Sequence, residues 1–147
     1  MTHESLIANE WLYAVLANDA TLAALVENNT KTGDPNVYDT FGDADATYPL
    51  LAFEQVESSD EVAIGAIRVL SVITYEVVAV EQSENYTTNQ AAIAARADVL
   101  LHGQQGTTDN GLIVSCVRSG PIAQRYVAEG LPFTRLGGKY TLRVQSF

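Results

Sequence analysis

The side chains able to do chemistry in this 147-residue chain are few and scattered. It has two histidines and one cysteine, Cys116. A zinc site needs clustered Cys, His or carboxylate ligands, and no such spacing occurs. Cys116 lies in a strand-like run with no histidine placed to activate it, so it reads as a buried structural thiol. His102 falls at a helix end, where a hydrogen-bonding side chain suits the last carbonyls. Asp43 and Asp45 are spaced like the start of a calcium loop, but the other ligand positions, the turn glycine and the closing glutamate are missing. Glu57, Asp60 and Glu61 would serve as an acid–base pair only if their surroundings drove their pKa values apart. Nothing around them does, and they read as solvated charges. The segment Gly103–Gly106 lacks the Gly-Lys-Ser/Thr of a phosphate loop, and no nucleophile elbow or dinucleotide fingerprint is present. No enzymatic activity, metal or cofactor is expected.

The elements that must carry these residues are clearer. Arg68–Gln82 is the longest β-like run, dense in Val, Ile and Tyr. Successive strand side chains point to opposite faces, and both faces here are largely apolar. One face carries Ile73, Tyr75 and Val77. Either the strand is covered on both sides or part of it serves a neighbouring copy. Leu50–Glu57 is a strand entered through Tyr48-Pro49, and it pairs with the long run as an antiparallel hairpin across a polar connection, Ser58–Ala66. A helix begins at Thr2 as cap, with Ile7, Trp11, Leu12 and Val15 on its apolar stripe. Asp19 caps a short second helix bearing Leu22, Leu25 and Val26. Residues 28–49 read as loop with a short strand at Asn36–Asp39. Thr87 and Gln90 form a capping box for a helix ending at Leu101, stopped by Gly103. Gly103–Asn110 reads as a turn, Leu112–Arg118 and Ile122–Val127 as strands, and residues 131–133 as an apolar loop. Gly137-Gly138 reads as a turn into a final strand, Lys139–Phe147, with Tyr140, Leu142 and Val144 on one side. The fold class is α+β in one domain over residues 1–147, with a long central hairpin packed by an N-terminal and a mid-chain helix.

Charge is unevenly spread. The net charge is −10. Residues 1–61 hold twelve acids and one base, whereas residues 112–147 hold one acid and five bases. An acidic chain is a poor general binder of nucleic acid. Separated charge suits head-to-tail contact between copies. On this reading Arg118, Arg125 and Arg135 meet an acidic neighbour, while Ile73, Tyr75 and Val77 find cover in another copy. No apolar run reaches the ~18–20 residues that span a bilayer. The acidic N-terminus is unlike a signal peptide, and the reading is a chain made in a cytoplasm.

The order of these pieces resembles the tail-completion, or tail-terminator, family of long-tailed bacteriophages and gene-transfer particles. The likeness runs through residues 17–26, Val37-Tyr38 and Tyr48–Glu54. It continues through the long strand, the helix Asn89–Leu101 with Gly103, and the closing strand after Gly137-Gly138. It implies a mostly antiparallel sheet flanked by helices and a structural, non-catalytic role. It also implies a homo-oligomeric ring, of six copies in such proteins, in the virion tail or neck. Its partners would be the tail tube protein and the head-completion, or stopper, protein. DNA would pass through the lumen without specific binding, and no membrane is involved. The acidic residues Asp43, Asp45, Glu57, Asp60 and Glu61 are expected to line part of that lumen, where repulsion lets DNA slide. Two alternatives stay open: another head–tail connector or minor tail or tube protein, and a small-molecule-binding domain using space beneath the 89–101 helix.

Overall fold

The computed structural model describes residues 3–27, 37–39, 47–65 and 67–147. Thr2, Asp43 and Asp45 lie outside them. Helix α1 spans Glu4–Ala17 and α2 spans Ala20–Leu25. Strands β1 (Val37–Asp39), β2 (Leu50–Ala63) and β3 (Ile67–Glu81) precede α3 (Thr88–Leu101). Strands β4 (Gln104–Thr107), β5 (Gly111–Ala128) and β6 (Leu131–Ser146) complete the order. Among the described residues the strands form one curled sheet in the order β1-β2-β3-β6-β5-β4. Its pairings are antiparallel except β1 with β2, so the α+β expectation holds.

The cap of α1 is His3, whose Nδ1 accepts from the Ser5 amide at 3.2 Å. Asp19 caps α2 by accepting from the Leu22 amide at 2.8 Å. Thr87 and Gln90 form both halves of the capping box on α3. Gly103, at φ +76°, takes the left-handed backbone that follows the helix. His102 does not reach the helix carbonyls, as the sequence suggested. Its Nδ1 accepts from the Arg118 amide at 3.0 Å and ties α3 to β5.

Helices α1 and α3 cover one face of the sheet. Leu51, Phe53, Ile73, Tyr75, Val77, Ile113, Tyr140, Leu142 and Val144 meet Ile7, Leu12, Trp11, Ile93 and Leu101 there. Burial of each such Leu or Ile contributes roughly 1.5–3 kcal/mol. Two part-buried polar links position the helices. Tyr75 Oη donates to Asn9 Oδ1 at 2.5 Å, with the Ser5 carbonyl 3.3 Å away, and fixes α1. Tyr140 Oη donates to Asp98 Oδ1 at 2.8 Å and fixes α3.

The strands are longer than the sequence suggested. β2 runs on to Ala63, so Ser58–Ala63 is strand, not connection. Gln104–Thr107 is an edge strand, not a turn. β5 passes through Pro121 without a break. Residues 131–133 and Gly137-Gly138 all belong to β6. The glycine pair makes no turn because it lies where β6 crosses β3. A Cβ at Gly137 would strike the Val77 carbonyl oxygen, with Val78 Cα at 2.8 Å.

Candidate functional site

The face of the sheet away from the helices carries a smaller apolar cluster: Leu50, Ala52, Val78, Val80 and Phe133. These residues alternate along β2 and β3 with those of the main core, so the strand pleat alone puts them here. Tyr48 meets the Phe133 ring edge-on at 5.3 Å, and Tyr126 stacks on it at 5.4 Å. Between this aromatic wall and the β2–β3 floor lies a groove of about 450 Å³. Its polar groups are Glu54, Glu76, Gln124 and Arg135.

Glu54 and Glu76 stand directly opposite each other in the β2–β3 register. Like charges so placed repel, and Arg135 offsets this. Its Nη2 lies 3.2 Å from Glu76 Oε2, and its Nη1 donates to Gln124 Oε1 at 2.7 Å. Burial pushes the Tyr48 and Tyr126 hydroxyls up, so both rings stay neutral. The lining contains no histidine, cysteine or serine. The arrangement suits holding an apolar segment with a polar rim.

A second hollow, of about 200 Å³, gathers His3, Ser5, Ser58, Ser59, Asp60 and Ser71. These are hydrolytic residue types that the sequence separates widely. Two hydrogen bonds are made among them. Ser71 Oγ donates to Asp60 Oδ1 at 2.7 Å, not to an imidazole. The His3 Nδ1 accepts from the Ser5 amide at 3.2 Å. Cys116 is fully buried, and burial pushes its thiol up to about 12, which leaves no thiolate near neutrality. Among the described residues no group of three or more His, Cys, Asp or Glu could hold a metal ion. No helix among them is long and apolar enough to cross a membrane.

The residues expected at a subunit contact fall into two groups. Ile73, Tyr75 and Val77 are 1%, 0% and 2% exposed, enclosed by the chain's own helices. They are therefore not available to a neighbour, because α1 and α3 already cover that face. The opposite face of β3 is sheltered in part by Tyr48, Tyr126 and Phe133 of the same chain. The arginines are held on the β5–β6 hairpin. Arg135 finds its acid in its own chain, at Glu76. Arg125 donates through Nε to the Glu84 carbonyl at 3.2 Å and lies 4.6 Å over the Tyr86 ring. Arg118 Nη2 reaches the Gly137 carbonyl at 3.4 Å.

The acidic residues lie along β2, within strand and not on a loop. Glu57 is exposed. Asp60 accepts from Ser71, and Glu61 Oε1 lies 3.3 Å from Arg143 Nε. Asp43 and Asp45 are outside the described residues. The space beneath α3 is filled: Gln90, Ile93, Ala97 and Leu101 are buried there. The groove lies instead on the far face, and sequence reasoning missed it. Its only signal was the alternate apolar set Leu50, Ala52, Val78 and Val80.

No family model matches the chain, and no curated protein matches it. Among solved structures, the fold is similar to a chain from the virion of a native gene transfer agent particle. That likeness has a TM-score of 0.68 at 16% identity and covers 100% of both chains.

Proposed function

We propose that this chain is a structural, non-catalytic virion protein that forms a ring and terminates a tail tube. The observation that carries this reading is the end-to-end likeness in fold to a chain of a gene transfer agent virion. A ring of copies would cap the tube, stop its growth and meet the head-completion protein. DNA would pass through the lumen, with Glu57, Asp60 and Glu61 contributing repulsion that keeps it sliding. Since the helix-covered face of β3 is closed, copies would meet through the overhanging ends of the two hairpins.

The test is the particle made without this protein, viewed by negative stain. Overlong tubes without attached heads support termination. Tubes of normal length overturn it. Tubes of normal length that lack heads would favour the second reading, a head–tail connector, which the same likeness in fold also serves.

A further inference from the structure

The β2–β3 hairpin outruns the sheet that supports it. β3 pairs with β6 only as far as Ser71, and β1 covers only Leu51–Phe53 of β2. Beyond the Asp60–Ser71 pair the hairpin is a two-stranded ribbon with both edges open among the described residues. A bare ribbon of two strands is marginally stable in water. Its end is nonetheless apolar: Val62 is 63% exposed and Ile64, in the turn, is 99% exposed. An exposed isoleucine at a projecting tip is a group without cover in its own chain.

The groove described above supplies matching cover, and its own hairpin cannot fill it. Leu50 and Val80 stand at the root of the hairpin, and the fourteen residues of β2 separate them from the tip. At ~3.3 Å per residue that is roughly 45 Å. We propose that Val62–Gly65 of one copy seats in the groove lined by Tyr48, Leu50, Val80 and Tyr126 of the next copy. Apolar surface carries this pairing, with the exposed Val62 and Ile64 meeting the apolar floor of Leu50 and Val80. Of the acids on β2, Glu61 lies on the ribbon, and its Oε1 is 3.3 Å from Arg143 Nε of the same chain. The charged residues lining the groove are Glu54, Glu76 and Arg135, so its rim is not basic. Within the groove Glu76 is already neutralised by Arg135. Tip and groove are different surfaces, so the contact is head-to-tail and closes only as a ring, or else runs on as a filament. The inference rests on the ring reading for the identity of the neighbour.

Two measurements on the assembled chain, in solution or on purified tubes, decide it. Ile64→Asp should weaken self-association by about tenfold or more, as removal of a buried anchor does. Its circular dichroism and melting should match the parent chain, because Ile64 touches none of its own core. Ile64→Cys mixed with Gln124→Cys should give a disulfide-linked pair on oxidation. Ile64→Cys mixed with Val99→Cys, an exposed site on α3, should not. If assemblies form normally with Ile64→Asp and both mixtures cross-link alike, the tip-in-groove contact is wrong and the ring reading stands. If the parent chain assembles in neither setting, the ring reading fails and the contact with it.

Discussion

Arg96 on α3 grips Asp19, the cap of α2, with two parallel hydrogen bonds. Nε lies 2.9 Å from Oδ2 and Nη2 lies 2.8 Å from Oδ1. The same carboxylate caps α2 through the Leu22 amide. One side chain therefore ends a helix and docks it. The Arg96 guanidinium, helped by that amide, holds the Asp19 carboxyl below its ordinary value although partial burial opposes this.

Asp19→Ala should cost at least about 1 kcal/mol from the lost cap alone, or roughly 3 °C in Tm. Asp19→Asn keeps a cap oxygen and removes the charge. A lowered folded pKa contributes stability above the unfolded value, near 3.9, and loses it as pH falls through the folded value. Thermal melts of Asp19→Asn below about pH 4 should therefore show a flatter acid arm than the parent chain. An unchanged arm would count against the ion pair.

Gln90 should be the most costly polar residue to replace. Its Nε2 donates to the Ala79 carbonyl at 2.9 Å and the Thr134 carbonyl at 3.0 Å, and its Oε1 accepts from Thr134 Oγ1 at 3.1 Å. It is fully buried between α3, β3 and β6. Gln90→Leu leaves these partners unsatisfied, at about 1–3 kcal/mol each before relaxation. Urea unfolding should show a fall in midpoint with little change in slope.

Gly137→Ala should destabilise by about 1–3 kcal/mol, because the new methyl meets the β3 backbone at Val77 and Val78 and no rotamer can relieve it. Gly120→Ala is the control. Nothing lies within 4 Å of a Cβ there, and the change should stay within about 0.5 kcal/mol. Paired denaturation curves test the contrast.

Cys116 should resist alkylation in the native protein at pH 8 and react once the chain unfolds. Its thiol is raised to about 12 by burial, so folding favours the neutral form. That contribution is complete below the unfolded thiol value and fades as pH rises toward the folded one. Rapid native labelling would show that β5 opens locally.

The capping box at Thr87 and Gln90, the Asp19 cap, the alternation of Tyr140, Leu142 and Val144 and the buried thiol were all legible in the chain. Each depends on residues within a few positions of one another, or on a period of two or of 3.6, which local sequence encodes directly. The charge asymmetry was equally plain, and so was the apolar character of both faces of β3.

What covers those faces was settled only by the tertiary structure. α1 and α3 lie far from β3 in sequence or fold back over it, and they enclosed Ile73, Tyr75 and Val77 within one chain. Gly137-Gly138 reads as a turn by local rules, yet it is the gap that lets β6 pass close to the β3 backbone. The partner of Arg135 is Glu76, 59 residues away in sequence, although the strand register sets Arg135 opposite Val80. The groove exists because β2, β3 and the β5–β6 hairpin curl together. Periodicity tells which side a residue faces; only the path of the chain determines what stands there to meet it.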